Sequence, residues 1–190
     1  MFEKLKEIFR DKSRDKLYKN LLDIGIDCEL AKRGVNEEKL FNPWHRRSLG
    51  IININSEYPI KYINIIKQDG GKNNPPRWWY FFAIPSYEII PKNGSIEVRS
   101  IRKKSIPVFG KVESIVWEPN SNSKDLADKF SRDDKINMLS TELGNIKVQS
   151  LHDSFSGFSI ELEFKVKDKS LNFSNWEVLN KIADMCIESV

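Results

Sequence analysis

The spacing of apolar and polar residues predicts a helical N-terminus followed by a run of strands. Residues 2–33 place apolar side chains three and four positions apart, which is the spacing of one helix face, with a polar interruption over 11–16. Gly25 and Gly34 are the predicted helix ends, because glycine readily takes the left-handed conformation that follows a helix. The pattern therefore indicates two short helices or one longer helix with a polar centre.

Strand-like patterns begin near residue 48 and are separated by turn residues. Runs rich in β-branched and aromatic residues predict strands at about 49–55, 60–66, 77–84, 95–103 and 111–117. A helix or helix pair is predicted to end near Gly144, and two more strands follow. In the second of these, over 158–166, apolar and polar residues alternate strictly, which predicts one buried face and one face in water.

The C-terminal helix has the clearest predicted start, because Ser174 and Glu177 match a Ser-x-x-Glu capping box. The whole order of elements is typical of an α+β fold rather than of alternating parallel units. We predict a mainly antiparallel, curved or partly closed sheet of six to eight strands, with an N-terminal helical segment and a C-terminal helix packed on it. Residues 1–34 are the predicted helical segment, and residues 35–190 are the predicted single α+β domain.

An unbroken run of large aromatic residues occupies the predicted strand at 77–84. In a strand, Trp78, Tyr80 and Phe82 would line one face and the intervening rings the other. Such a segment is either a central strand covered on both faces or the floor of a groove that binds something flat or apolar. The contrast with the half-polar strand at 158–166 favours the central strand.

Composition places the chain among globular domains. It has 190 residues, of which 39% are hydrophobic and 31% charged, and it has no stretch near the roughly 20 apolar residues of a membrane-spanning helix. The alternation of charged and apolar residues at the N-terminus is unlike a signal peptide. We therefore expect a cytoplasmic protein in which Cys28 and Cys186 are reduced.

The net charge of +4 is unevenly distributed. Residues 1–111 hold 22 Lys/Arg and 13 Asp/Glu, whereas residues 112–190 hold 9 and 14. The sharpest basic cluster falls in and near the predicted strand at 95–103, where lysine and arginine either contact phosphate groups or guard an edge strand against pairing. With the entrance to the aromatic run, this cluster supplies the candidate ligand or phosphate contacts: Arg77, Trp78, Arg99, Arg102, Lys103 and Lys104.

No catalytic or cofactor motif is present in the sequence. It lacks the glycine-rich nucleotide loops, the zinc-protease helix and the hydrolase nucleophile elbow, and the adjacent residues His152, Asp153 and Ser154 cannot adopt triad geometry. We predict no cofactor and no metal, and we lean against an enzyme.

The leading hypothesis is a non-enzymatic protein-interaction or binding module, whose partner is another protein or a second copy of the chain. The alternative is a binder of single-stranded nucleic acid or of another phosphate-bearing ligand, through a basic and aromatic surface. The predicted N-terminal helix has three open roles, which are docking on the domain, on a partner or on a membrane.

Overall fold

The computed structural model describes residues 11–39, 46–86, 94–106, 110–152, 155–165 and 167–189. Within these ranges the chain forms eight strands, four α-helices and one 3₁₀ helix. The strands are β1 (Cys28–Leu30), β2 (Arg47–Ile54), β3 (Tyr62–Gln68), β4 (Arg77–Pro85), β5 (Glu97–Lys104), β6 (Val112–Pro119), β7 (Ile146–His152) and β8 (Phe155–Phe164). The helices are α1 (Ser13–Asp23), α2 (Lys124–Ser131), α3 (Asp134–Leu143) and α4 (Phe173–Ile187), with the 3₁₀ helix at Asn36–Lys39.

All eight strands form one sheet in the order β1-β2-β3-β4-β8-β7-β5-β6. Every pairing between neighbours is antiparallel. The sheet is open, with β1 at one end and β6 at the other in the described part of the chain. The predicted fold class is confirmed, since α1 precedes this antiparallel sheet and α4 follows it.

The last two strands complete the sheet from the middle. β1 to β4 follow one another as neighbours, and β5 and β6 form a separate hairpin at the far end. The β7–β8 hairpin lies between these two parts, because β8 pairs with β4 and β7 pairs with β5.

The aromatic run forms β4, and the central-strand interpretation is confirmed. Trp78, Tyr80 and Phe82 point into the main core together with residues of all four helices, so we call this side of the sheet the helical face. Trp79 and Phe81 lie on the opposite face, in a smaller cluster with an isoleucine of β3. All five rings are buried, because strands on both sides and side chains on both faces exclude water from β4.

The face opposite the helices is covered next to β3 and β4. The Arg46 guanidinium lies 3.8 Å from the centre of the Trp79 ring, which is a cation–π contact. Nearby, Tyr62 and Ala83 form a third apolar cluster, against which Ala31 and Val35 pack from the segment that follows β1.

The polar side of β8 is less exposed than its alternating sequence predicts. Ser159 is fully buried and Glu161 is half-buried, whereas the sequence predicts that both are in water. The reason is that β8 is a central strand. Glu161 lies opposite Phe81 of β4 on one side and Lys147 of β7 on the other, so larger side chains shield it.

The N-terminal segment differs from its predicted helical pattern. α1 ends at Asp23, and Gly25 follows it with φ 86°, as predicted. The chain then forms β1 at Cys28–Leu30 instead of continuing as helix, because these three residues pair with Ile52–Ile54 of β2. A strand this short has no pattern of its own and depends on its neighbour. The predicted helical positions at 2–9 lie outside the described residues.

The N-cap of the C-terminal helix α4 lies two residues before the predicted cap. Asn172, not Ser174, is the N-cap residue, and its Oδ1 atom accepts a hydrogen bond from the N–H of Asn175 at 2.7 Å. In return, Asn175 Oδ1 accepts from the N–H of Asn172 at 3.2 Å. Asparagine is as good an N-cap as serine, so the sequence contains two overlapping cap signals. Among the described helices, none is long and apolar enough to span a membrane.

Candidate functional site: a basic cavity where the sheet divides

The sheet divides at one end, between β5 and β8. β7 begins at Ile146, opposite Leu162 of β8, and it pairs with β5 only through Glu97–Arg99. Among the described residues, the second half of β5 then pairs only with β6, and the end of β8 pairs only with β4. A cleft therefore opens between two strands that β7 connects farther along.

Buried hydroxyl groups hold the inner end of this cleft. Ser100 Oγ on β5 accepts a hydrogen bond from the N–H of Ile146 at 2.8 Å and lies 2.8 Å from Ser140 Oγ on α3. Ser140 also donates to the carbonyl of Gly144 at 3.3 Å. A buried polar group without a partner costs about 1–3 kcal/mol, so these bonds fix the start of β7 against β5 and α3.

A glycine turn lets α3 reach the cleft wall. Gly144 caps the C-terminus of α3, as the sequence predicts, with φ 121°. A Cβ atom at this position would lie 3.5 Å from the carbonyl oxygen of Glu163 on β8. The contact itself is ordinary, but this φ is strained for any residue with a side chain. Glycine therefore lets the turn at residues 143–145 pass beside the end of β8.

The cleft holds a cavity of about 450 Å³ that we call the basic cavity. Its lining contains five cationic side chains and one carboxylate, Glu163. The cations come from the start of β4, the end of β5 and the segment after β8, and they are Arg77, Arg102, Lys104, Lys165 and Lys169. The remaining wall is formed by Leu143, Gly144, Asn145 and Phe164.

Neighbouring groups orient two of these cations. The Arg77 guanidinium forms an ion pair with Glu163 at 2.5 Å, and Arg102 Nε donates to Asn145 Oδ1 at 3.1 Å. The side chains of Lys165 and Lys169 form no hydrogen bond or ion pair with any residue that the structure describes. Because one carboxylate cannot neutralise five cations, the cavity has a positive electrostatic potential.

The structure brings together three of the six predicted contact residues. Arg77, Arg102 and Lys104 line the basic cavity although they come from two strands that are not neighbours. Arg99 lies in an adjoining cavity, where its guanidinium makes two hydrogen bonds to Glu118 at 3.1 and 2.8 Å. Lys103 is exposed on β5 and lines neither cavity.

Trp78 does not offer a surface for stacking in this conformation. Its side chain is buried in the main core, and its indole N–H donates to Asp11 Oδ2 at 3.3 Å. The aromatic ring that lines the basic cavity is Phe164, which is itself buried. The cavity is therefore basic but offers little exposed aromatic surface.

Two cations of the cavity were missed in the sequence. Lys165 and Lys169 follow β8. The sequence places Lys165 on the wet face of the alternating strand and assigns no role to Lys169. Only the fold shows that these lysines meet the ends of β4 and β5.

The adjoining cavity has a volume of about 390 Å³ and shares Asn145 and Glu163 with the basic cavity. It also contains the half-buried Glu161. Burial raises the pKa of the Glu161 carboxyl, although the positive charges of Lys147 and Arg46 act in the opposite direction. The two cavities thus adjoin, and charge is mixed in the adjoining cavity and mostly positive in the basic cavity.

Within the described ranges, no group of three or more His, Cys, Asp or Glu residues is arranged to hold a metal ion. Residues 153 and 154 of the His152–Asp153–Ser154 sequence lie outside those ranges. Comparison of the chain with protein-family models, curated proteins and solved structures finds no match.

Proposed function

We propose that this protein is a binding module whose ligand carries a phosphate group, held in the basic cavity. The observation that carries the proposal is the convergence of five cationic side chains, from three separate parts of the chain, around a single carboxylate. These cationic side chains repel one another when they lie close together. A bound anionic ligand reduces this repulsion, so its binding is favourable.

The types of side chain suit phosphate in particular. The planar guanidinium groups of Arg77 and Arg102 present paired N–H donors that match two phosphate oxygens. Glu163 and Asn145 hold these guanidinium groups before any ligand binds, which lowers the entropy lost on binding. Lys165 and Lys169 add point charges whose side chains give up no hydrogen bond or ion pair with the described residues.

The shape of the site favours a compact ligand over a nucleic-acid strand. A volume of about 450 Å³ falls in the usual range of small-ligand sites, which is about 300–1,000 Å³. Binding of single strands relies on exposed rings that stack on bases, whereas Trp78, Trp79 and Phe164 are all buried. A phosphorylated small molecule therefore fits better than a nucleic acid.

Isothermal titration with pyrophosphate at low salt tests the proposal. We expect binding tighter than about 1 mM, and a loss of at least about tenfold in the double variant Lys165→Glu/Lys169→Glu, because two attractive charges become repulsive. Neither lysine side chain has a hydrogen bond or an ion pair to lose within the described part of the chain, and the carbonyl of Lys169 that accepts from the Tyr80 hydroxyl is kept in the variant, so the fold should be unaffected. The matched control is Lys19→Glu/Lys72→Glu, which changes the net charge equally at exposed positions outside the cavity.

An equal loss in the control, or no binding of pyrophosphate at low salt, would show that the cavity is not the site. Labelled single-stranded oligonucleotides serve as the competing probe. If they bind far more tightly than pyrophosphate, with a steep dependence on salt, the ligand is a nucleic acid and the compact-ligand proposal is rejected.

A further inference from the structure

The strand β6 leaves hydrogen-bonding groups free at the end of the sheet. It pairs with β5 and, among the described residues, with no other strand. The N–H of Asn120 donates to the carbonyl of Glu97 at 2.8 Å, and bonded residues alternate along an antiparallel ladder. The peptide groups of Ile115 and Trp117 therefore point away from β5, and no residue that the structure describes bonds to them.

A groove runs beside this free edge, between β6 and α3. Its volume is about 710 Å³, and residues 112–115 of β6 form one wall. The other wall is one face of α3, with the i, i+3, i+4, i+7, i+8 spacing of a helix stripe, formed by Asp134, Asn137, Met138, Thr141 and Glu142. The core-facing side chains of α3 are buried, so the position of this wall is fixed by the core.

The groove has an apolar centre and acidic ends. Met138 has 60% of its surface exposed, and Asp134 and Glu142 lie one helical turn before and after it. The third ionisable group of the lining, Glu113, is also acidic. Among the described residues, no lysine or arginine lines the groove, so the charge of its lining is opposite to that of the basic cavity.

We infer that an extended peptide with a basic-x-apolar-x-basic pattern docks here as an additional antiparallel strand on β6. Side chains four residues apart on α3 are separated by about 6 Å along the helix axis. Side chains two residues apart on a strand are separated by about 6.6 Å along the strand. Alternate side chains of the peptide thus match the spacing of Asp134, Met138 and Glu142. The peptide's two basic groups meet the carboxylates, its apolar group covers Met138, and its backbone bonds to Ile115 and Trp117.

A second copy of the chain fits this edge less well. It would present its own β6, which carries Glu113 and Glu118 and no lysine or arginine. Self-pairing would bring these carboxylates to an edge that is already acidic, and nearby like charges are destabilising. Charge complementarity therefore favours a basic partner. The inference is independent of the proposed phosphate site, since the two sites share no lining residue.

Fluorescence anisotropy with the labelled peptide Thr-Lys-Thr-Val-Thr-Lys-Thr tests the inference. We expect it to bind, and the version with Glu in place of both Lys to bind at least about tenfold more weakly, because the carboxylates of the groove repel it. The protein variant Glu113→Lys/Met138→Lys should lose at least about tenfold in affinity by the same argument. The matched control is Glu57→Lys/Leu22→Lys, which replaces an exposed acid and an exposed apolar residue away from the groove.

Backbone N-methylation tests the strand geometry. Residues that exchange hydrogen bonds across an antiparallel pair have side chains on the same face, and the side chain of Ile115 belongs to the helical face. Of the groove-facing Lys, Val and Lys of the peptide, the two that lie opposite Ile115 and Trp117 therefore donate to β6. N-methylation of all three should abolish binding, whereas N-methylation of the threonines should be tolerated.

Amide hydrogen exchange gives the second measurement. Exchange at Ile115 and Trp117 should be fast in the free protein and at least about tenfold slower with bound peptide. The inference is overturned if the peptide does not bind, if the charge-reversed peptide binds equally well, if both double variants lose affinity equally, or if neither amide slows. Protection of these amides by concentration-dependent dimerisation without peptide would instead identify a second copy as the occupant.

Discussion

The indole N–H of Trp78 donates a hydrogen bond to the Oδ2 atom of Asp11, 3.3 Å away. This bond joins the aromatic strand β4 to a residue that lies two positions before the start of α1. The same carboxylate accepts from the hydroxyl and the N–H of Ser13 at 2.6 and 3.0 Å, and it lies 3.2 Å from Lys67 Nζ. With only 5% of its side chain exposed, Asp11 is a buried charge that its neighbours satisfy.

The first prediction concerns pH and Asp11. Burial alone would raise the pKa of this carboxyl, but the bonds from Ser13, together with Lys67 and Lys167, lower it to about 2. Because the pKa of Asp11 is lower in the folded than in the unfolded protein, its ionised form stabilises the fold by about 2 kcal/mol at pH values above the unfolded-state pKa. This stabilisation is lost as the pH falls from about 4 towards 2. In urea denaturation, the free energy of unfolding of Asp11→Asn should be about 2 kcal/mol lower than that of the parent protein at neutral pH. This difference should shrink towards zero at about pH 2.

The control for this prediction is Asp23→Asn, at the exposed end of α1. We expect its stability to stay within about 0.5 kcal/mol of the parent protein across the same range. A deficit in Asp11→Asn that stays constant between neutral and acid pH would show that the charge is not the source of the stability.

The second prediction concerns Gly157, which lies opposite Pro85 of β4. Its φ is 142°, and a Cβ atom there would lie 2.1 Å from the carbonyl oxygen of Ile84. Gly157→Ala should therefore lower the free energy of unfolding by more than about 2 kcal/mol, since both the backbone and β4 must move. Gly71→Ala, which meets no atom within 4 Å, should change it by less than about 1 kcal/mol. Equal effects in chemical denaturation would contradict this packing.

The third prediction concerns the two thiols. Burial, with a smaller effect of Asp27, raises the pKa of Cys28 to about 11, and burial raises the pKa of the fully buried Cys186 as well. Since the thiolate is the reactive form, both should react with Ellman's reagent at least about 100-fold more slowly in the native protein than in urea. Rapid modification of either thiol under native conditions would mean that it is exposed.

The fourth prediction concerns the rings of β4. In protein labelled with 5-fluorotryptophan, the ¹⁹F resonances of Trp78 and Trp79 should resist broadening by a soluble gadolinium chelate, because 6% and 3% of their surfaces are exposed. Single Trp→Phe variants assign the resonances, and the urea-unfolded protein provides the accessible reference. Selective broadening of the Trp78 resonance would restore the interpretation of this ring as a stacking surface.

The strands were predictable where burial dictates the residue type. β4 carries rings on both faces because it lies between β3 and β8, and this double burial is visible in the sequence. β1 was missed because its three residues owe their conformation to pairing with β2. The start of α4 was misplaced because Asn172 and Ser174 are both competent N-caps, so residue type alone does not distinguish them.

The candidate site was predictable only in part, for a reason of topology. Arg102 and Lys104 stand out as a local basic cluster, and Arg77 marks the entrance to the aromatic run. Lys165 lies near them only because β7 begins opposite Leu162 and does not fill the space between the ends of β5 and β8. Which strands separate, and where, depends on long-range pairing that local patterns do not encode.

The insertion of the β7–β8 hairpin between β4 and β5 has a consequence for the order of folding. Until residues 146–164 are available, the strands that precede them can form only two disconnected ladders, β1 to β4 and β5 with β6. Chain closure over such long sequence separations is slow compared with local pairing. During synthesis, we therefore expect the inner edges of β4 and β5 to stay unpaired until the β7–β8 hairpin is made and joins the two ladders.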